Sequence, residues 1–350
     1  MPERIVDMRS DTVTTPTDSM RRAMYEAELG DDVYGEDPTV NRLEDRSAER
    51  LGKAAALLLL SGTMGNLVGM LAQARPGDEV MCGEYSHIFL NEAGGAAALG
   101  GIQLRPIPTT RGVIDPQHVR LALRDPNNLH HPRSKLLCLE NTANKDGGAA
   151  VSVEAMDAVS DVAHESGVRV HVDGARIFNA AVALDVPVER LVQNADSVTF
   201  CLSKGLGCPV GSILAGSADY IGEARRWRKM VGGSLRQAGV IAAAGIVALD
   251  EMVDRLGEDH ANARRLAQGL AELPGLAVDV GAVDTNIVML DVDVERVDPK
   301  VFVARLRERG VRIGSPYGGR IRLVTHYQIS PDDVSYALRA AESALGLVHA

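Results

Sequence analysis

The stretch SVTFCLSKGLGC, residues 197–208, sets a short apolar run directly before one lysine, Lys204, held between a serine and a glycine. A desolvated amine is costly to keep unless it has a partner or a chemical task. The run reads as a buried strand, so Lys204 lies where that strand ends. Working outward, AAALLLL (54–60), KLLCLEN (135–141) and VRVHV (168–172) read as further strands. Between them, MGNLVGML places Met64, Leu67, Val68 and Leu71 at helical spacing. Val153 to Glu165 puts Met156, Val159 and Ala163 on one helical face and stops at Gly167. Apolar runs alternating with helices define the fold class as α/β, with a mostly parallel central sheet and helices on both faces.

The chain changes character beyond this region. GVIAAAGIVALDEMVDRL (239–256) is a long helical pattern leading out of the large domain toward Pro274-Gly275. TNIVMLDV (285–292) reads as a strand. Asp298 with Pro299, and Ser330 with Pro331, each pair an N-cap with a proline at the first helical position. Strands are expected near 311–313 and 320–324. The expected division is an N-terminal segment over 1–30, a large domain over 31–250 and a smaller C-terminal α/β domain over 251–350.

A formal net charge of −10 argues against nucleic acid or an anionic membrane as partner. No apolar stretch approaches the ~20 residues of a membrane span. The opening MPERIVDMRSDT has neither the order of a secretory signal nor the acid-poor character of a transit peptide. Cys82, Cys138, Cys201 and Cys208 lie far apart without a C-x-x-C pair, and read as buried small hydrophobes in a reduced, cytoplasmic setting.

Three places in the large domain have the chemistry of a site. In LLLLSGTMGN (57–66) a strand runs into Ser61-Gly62-Thr63 and a helix begins at once. Free N–H groups, the helix dipole and glycine's small size suit a phosphate there, although ordinary capping by Ser61 or Thr63 accounts for the same residues. The stretch matches neither G-x-G-x-x-G nor the P-loop, which disfavours a dinucleotide-dependent dehydrogenase. In VHVDGARIF (170–178), Asp173 ends a buried strand with Arg176 three residues on. A carboxylate there can ligate a metal, pair with Arg176 or face a cationic ring nitrogen; no metal-ligand cluster accompanies it. Lys204 is either a surface lysine or, desolvated, a Schiff-base amine. Together an anion cradle, an acid and an amine on one sheet edge match what pyridoxal 5′-phosphate requires.

The chain resembles the low-specificity L-threonine aldolases, pyridoxal-phosphate enzymes of the aspartate-aminotransferase-like fold type I. The similar stretches are MRSDTVTTPT (8–17), GDDVYGEDPT (30–39), SGTMGN (61–66), SHIF (86–89), HVDGARIFNA (171–180), FCLSKGLGCPVGS (200–212), RQAG (236–239) and RLVTH (322–326). The resemblance implies Lys204 as the Schiff-base lysine, Asp173 as partner of the pyridinium nitrogen, and His87 against the cofactor ring. It implies that Ser61, Gly62 and Thr63 bind the phosphate, joined by Lys229 and Arg236 reaching over from a neighbouring subunit. Ser10, Arg176 and Arg322 would hold the amino acid's carboxylate, with Tyr34 and His130 near the substrate and Arg176 also close to the cofactor. No metal is implied. The N-terminal segment would contribute to the site and to subunit contact in a homotetramer of two close dimers.

The implied reaction is retro-aldol cleavage of a β-hydroxy-α-amino acid to glycine and an aldehyde, in threonine catabolism and glycine formation. His87, His130 or a water would serve as base. The alternatives are β-elimination or transamination on the same fold, or a non-catalytic protein on that scaffold. Duller roles exist for His87 as a structural histidine, for Lys229 and Arg236 on a solvated basic face, and for Arg322 on an exposed strand edge. One departure stands out: ENTANK (140–145) has Ala143 where relatives commonly have histidine, and His131 replaces the usual aromatic after His130. Both changes bear on β-carbon preference and side-chain scope.

Overall fold

The protein is described by a computed structural model covering residues 4–346, so the outermost ends of the two terminal segments, 1–3 and 347–350, lie outside the described residues. In chain order, a short strand β1 (Val6–Asp7) precedes the strands of the large domain. These are β2 (Ala55–Leu59), β3 (Glu79–Gly83), β4 (Gln103–Ile107), β5 (Ser134–Glu140), β6 (Arg169–Asp173), β7 (Ser197–Cys201) and β8 (Ser212–Gly216). They form one seven-stranded sheet in the order β2-β8-β7-β6-β5-β3-β4. Neighbours from β7 to β4 are parallel, whereas β8 runs antiparallel to both β2 and β7. The expected mostly parallel sheet is therefore present, with one reversed strand that the sequence does not announce.

The two-residue period of each strand divides the sheet's faces. Val170, Val172, Val198 and Phe200 join Leu137, Leu139 and Met81 in the principal core, together with Met156 and Val159 of the helix Val153–Glu165. The alternate positions, His171, Asp173, Ser197, Thr199 and Cys201, point to the opposite face. All five are buried. That face is covered by α1 (Gly62–Leu71), and its register brings Glu140 beside Asp173 and Asp173 beside Thr199 at the carboxyl ends of the strands.

The pattern at 239–256 forms α2 (Gly239–Val247), then one wider π turn over Ala248–Met252. α3 (Leu256–Ala271) carries the chain to a second, smaller sheet. There β9 (Leu276–Ala277), β10 (Ile287–Val292) and β12 (Arg320–Val324) make an antiparallel sheet in the order β9-β10-β12. Its apolar face packs against α3, α4 (Pro299–Glu308) and α5 (Pro331–Ala344). Asp298 caps α4 and Ser330 caps α5 through a capping box. β1 pairs in parallel with β11 (Val311–Arg312), and the Val324 N–H donates to the Met8 carbonyl. The N-terminal segment is thus anchored on β11 and β12 before it turns, at Ser10–Val13, toward Arg176 and Asn286, which Asp11 contacts.

Candidate active site

The position of α1 follows from its glycines. Gly62, Gly65 and Gly69 lie on one helical face, at i, i+3 and i+7. A Cβ at Gly62 would stand 2.7 Å from Cys201 Sγ, one at Gly69 2.9 Å from His171 Cε1, and one at Gly65 would collide with Thr199 Oγ1. The helix backbone therefore lies directly on β6 and β7. Its N-terminus opens where β7 ends, three residues before Lys204. Ser61 caps the helix, its Oγ accepting from the Met64 N–H at 3.2 Å. The Gly62 and Thr63 N–H groups have no partner among the described residues, which leaves an anion-accepting end at this edge. Capping and anion binding are thus compatible here: Ser61 does the first, and the freed N–H groups of its neighbours offer the second.

Asp173 and His87 meet in one buried network. Asn66 Nδ2 donates to Asp173 Oδ2 at 2.8 Å and to Glu92 Oε1 at 2.7 Å. The same Glu92 oxygen lies 2.9 Å from His87 Nδ1. The Glu92 hydrogen bond raises the His87 pKa against the effect of burial, and Asp173 adds to the rise while Lys204 opposes it. The charges of Lys204 and Asp173 are thus both felt at one imidazole. Ligand-type atoms of His87, Glu92 and Asp173 fall within 4.8 Å of one another, but Asn66 sits among them as donor, a protein-satisfied arrangement rather than an ion cage. Glu140, raised by burial and then by Asp173, accepts from the His87 N–H at 2.5 Å and from the Asn144 N–H at 2.8 Å. Lys204 is half-buried, and its amine has no hydrogen bond or ion pair among the described residues.

Arg176 does not pair with Asp173. It makes a two-pronged ion pair with Asp11, Nε to Oδ2 and Nη2 to Oδ1, both at 2.6 Å and both residues buried. Burial pushes Asp11 up, but the Arg176 guanidinium outweighs it and, with Lys204 and Asn286, holds the carboxyl down at about 2. The remaining Arg176 nitrogen approaches Asn144 Oδ1 at 3.5 Å, and Arg322 Nη1 donates to the same oxygen at 2.7 Å. Two guanidinium groups therefore converge on one neutral oxygen, with one carboxylate between them. The excess positive charge suits an incoming carboxylate. Arg320, its neighbour on β12, instead faces out and pairs with Asp291. Ser10 stands at the edge of this group, its hydroxyl accepting from Thr12 N–H and Oγ1–H.

Other expected residues stand apart from this cluster within the chain. Tyr34 is 75% exposed on a short turn whose cap, Asp31, pairs with exposed Arg236. Lys229 is exposed in the last turn of the helix Ala218–Met230. Gly233, just beyond, packs on Met64 of α1, so this basic segment lies beside the anion-accepting helix end. His130 is exposed in the loop before β5, at the opposite edge of the sheet from Glu140. Ala143 is buried, with its methyl group toward Gly112, and its N–H donates to the Ala149 carbonyl.

Asp11, Asn66, Glu92, Glu140 and Asn144 complete the site and were not singled out from the sequence. Four of them lie inside stretches already quoted: Asp11 in MRSDTVTTPT, Asn66 in SGTMGN, and Glu140 and Asn144 in ENTANK. Asn66 and Glu92 acquire meaning only through contacts across the fold.

A seven-stranded α/β sheet with a free amine, a buried carboxylate and a helix N-terminus on one edge is the architecture of the pyridoxal-phosphate enzymes of fold type I. The Leishmania major threonine aldolase structure superimposes with a TM-score of 0.81 over 97% of this chain and 99% of that one, at 19% identity. The chain belongs to the beta-eliminating lyase family, whose sequence model matches residues 7–295. It is 45% identical to low-specificity L-threonine aldolase 1 of Arabidopsis thaliana over 99% of this chain and 98% of that protein. It is also 46% identical to the low specificity L-threonine aldolase of Escherichia coli K12, over 95% of this chain and 96% of that one.

Proposed function

We propose that the protein is a pyridoxal-phosphate-dependent L-threonine aldolase of low specificity, cleaving L-threonine, L-allo-threonine and related β-hydroxy-α-amino acids to glycine and an aldehyde. The observation that carries this reading is the meeting, at the carboxyl ends of β6 and β7, of the buried Asp173 carboxylate, the free N-terminus of α1 and, three residues past β7, a Lys204 amine with no hydrogen bond among the described residues. The donor set fits the cofactor: an amine for its aldehyde, a carboxylate for its ring nitrogen and free N–H groups for its phosphate. When bound, the cofactor supplies an electron sink for the bond broken at the substrate's α-carbon.

The chain's own residues do the rest. Arg176, fixed by Asp11, and Arg322 receive the substrate carboxylate, and so orient the bond between the α- and β-carbons. Glu140 ties the backbone of His87 to that of Asn144, which joins the ring side of the pocket to the carboxylate side. His87, with its Nδ1 toward Glu92 and a raised pKa, holds a proton to higher pH than an ordinary imidazole, and its Nε2 is the ring nitrogen that Glu92 leaves unengaged. The exposed Tyr34, Lys229, Arg236 and His130 act across a subunit boundary in a homotetramer, in the cytoplasm.

Product analysis tests this reading. L-Threonine should yield glycine and acetaldehyde. Release of 2-oxobutanoate instead would identify a β-eliminating activity, and formation of an amino acid from an added oxo acid an aminotransferase. Lys204→Ala should abolish both the yellow absorbance of lysine-bound cofactor and the cleavage. Full activity in that variant would overturn the assignment.

A further inference from the structure

The buried face of β6 and β7 carries a chain of polar groups that the reaction just described does not use. Gln73 Nε2 donates to Ser197 Oγ at 2.9 Å, and Ser197 Oγ lies 2.9 Å from His171 Nδ1. His171 Nε2 lies 3.3 Å from Asn66 Oδ1, and Asn66 Nδ2 reaches Asp173 and Glu92. His171, Ser197 and Asn66 are almost wholly buried. Their hydrogen assignment has one consistent solution. The two carboxylates can only accept, so the Asn66 NH2 must face them and its oxygen must face His171. His171 then carries its hydrogen on Nε2, and Nδ1 accepts from the Ser197 hydroxyl, which in turn accepts from Gln73. Burial pushes His171 down to about 4, which keeps it the neutral ring that this pattern needs. Every donor in the chain points toward Asp173 and Glu92.

We propose that Asn66, oriented by His171, Ser197 and Gln73, is a positioning residue that presents Asp173 and Glu92 side by side as acceptors, Glu92 for His87 and Asp173 for the cationic ring nitrogen of the cofactor. The second half rests on the function proposed above; the first does not. An amide is the side chain this position calls for. A cation would neutralise Asp173 before the cofactor arrived, and a third carboxylate would crowd like charges into a dry space. Asn66 is neutral, yet gives one N–H to each oxygen. The charged and titratable groups around this cluster are His87 and Glu92 from the segment after β3, Cys138 and Glu140 from β5, His171 and Asp173 from β6, Lys204 after β7, and Tyr220 from the helix Ala218–Met230. Of these, Asn66 touches three.

The test is the isosteric exchange Asn66→Asp, with Asn66→Leu as a variant of similar size that lacks both donors. In the apoprotein, Asn66→Asp can be accommodated only by taking up a proton, because the oxygen in place of Nδ2 would face those of Asp173 and Glu92 at the present 2.7–2.8 Å. A group protonated on folding contributes stability that is present at low pH and lost as pH rises. The urea midpoint of Asn66→Asp should therefore fall from pH 5 to pH 8 relative to wild type. A midpoint that tracks wild type over that range would overturn the proposal. In the holoenzyme, both variants should weaken pyridoxal phosphate binding about tenfold or more, as for lost hydrogen bonds to charged groups. kcat should fall with little change in KM. His171→Gln, which keeps an N–H toward Asn66 Oδ1, should restore most of what His171→Leu loses; equal losses would reduce His171 to packing and remove the orienting half of the proposal. Should the apoprotein titration behave as expected while wild type binds no cofactor, the proposed function would fail and the network would stand.

Discussion

Asp11 and Arg176 meet across 165 positions of sequence, and their pair decides what Arg176 can do. With two of its nitrogens held by Asp11, the guanidinium is fixed in direction and presents its remaining nitrogen toward Asn144 and the space beside Arg322. Breaking a buried ion pair from one side leaves an uncompensated charge, at a cost of about 3–5 kcal/mol. Asp11→Asn should therefore lower stability by that order and raise KM for the amino acid more than it lowers kcat, since Arg176 would remain but lose its orientation. The sign of the pH dependence follows from the depressed Asp11 pKa. The pair's contribution is fully present above the ordinary carboxylate value and is lost as pH falls toward about 2. Wild type and Asp11→Asn should differ in urea midpoint by a constant amount from pH 6 to pH 8, and the gap should close on acidification below pH 4. A gap that widens in acid would show that Asp11 is not held as the anion by Arg176.

At the scale of elements, the decisive contact is α1 against β6 and β7. The helix was legible from the spacing of Met64, Leu67, Val68 and Leu71, and its start from Ser61-Gly62-Thr63. Asp298-Pro299 and Ser330-Pro331 placed two further helix starts correctly, because capping is a local interaction written in adjacent residues. The antiparallel β8 was not legible, since SILAG (212–216) has the same buried composition as a parallel strand, and direction is set by what the strand pairs with. The same reason hid the partners of Asn66, Glu92 and Asp11, which are distant in sequence. The glycines of α1 were visible, but the surface they press on was not. Gly65→Ala tests that contact. The added methyl group would collide with Thr199 Oγ1, and the helix would have to rise from the sheet. Overpacking of this kind costs about 1–3 kcal/mol. Because the helix N-terminus would move with it, Gly65→Ala should also weaken cofactor binding, measured by titration of the apoprotein. Gly222, on an open surface of the helix Ala218–Met230, is the control: alanine there meets no atom within 4 Å, so it should leave cofactor binding unchanged and raise stability by up to about 1 kcal/mol.

The whole molecule sorts the expected residues into two groups, and their separation is itself informative. Lys204, Asp173, His87, Arg176 and the N-terminus of α1 share one edge of the seven-stranded sheet, and Arg322 reaches it from β12 of the smaller sheet through Asn144. Tyr34, Lys229 and Arg236 lie on an exposed face beside it, and His130 lies at the far edge. Tyr25, Leu29 and Val33, in the same stretch of chain as Tyr34, are exposed as well, apolar side chains of the sort that subunit contacts cover. No helix among the described residues is long and apolar enough to cross a membrane. A partner subunit would bring the second group to the first, and mixing of inactive variants tests this. Lys204→Ala and Arg236→Ala each remove one part of the site. If Arg236 serves the neighbouring subunit's cofactor, a hybrid dimer contains one doubly damaged site and one intact site. Random reassembly of equal amounts should then restore roughly a quarter of wild-type activity, through shared isologous sites. If Arg236 acts within its own chain, each site in the hybrid keeps one lesion, and mixing should restore nothing beyond the residual activity of Arg236→Ala. The same exchange with His130→Asn in place of Arg236→Ala distinguishes a histidine delivered by the partner from one that plays no part in the chemistry, because only the first both loses activity alone and regains it on mixing.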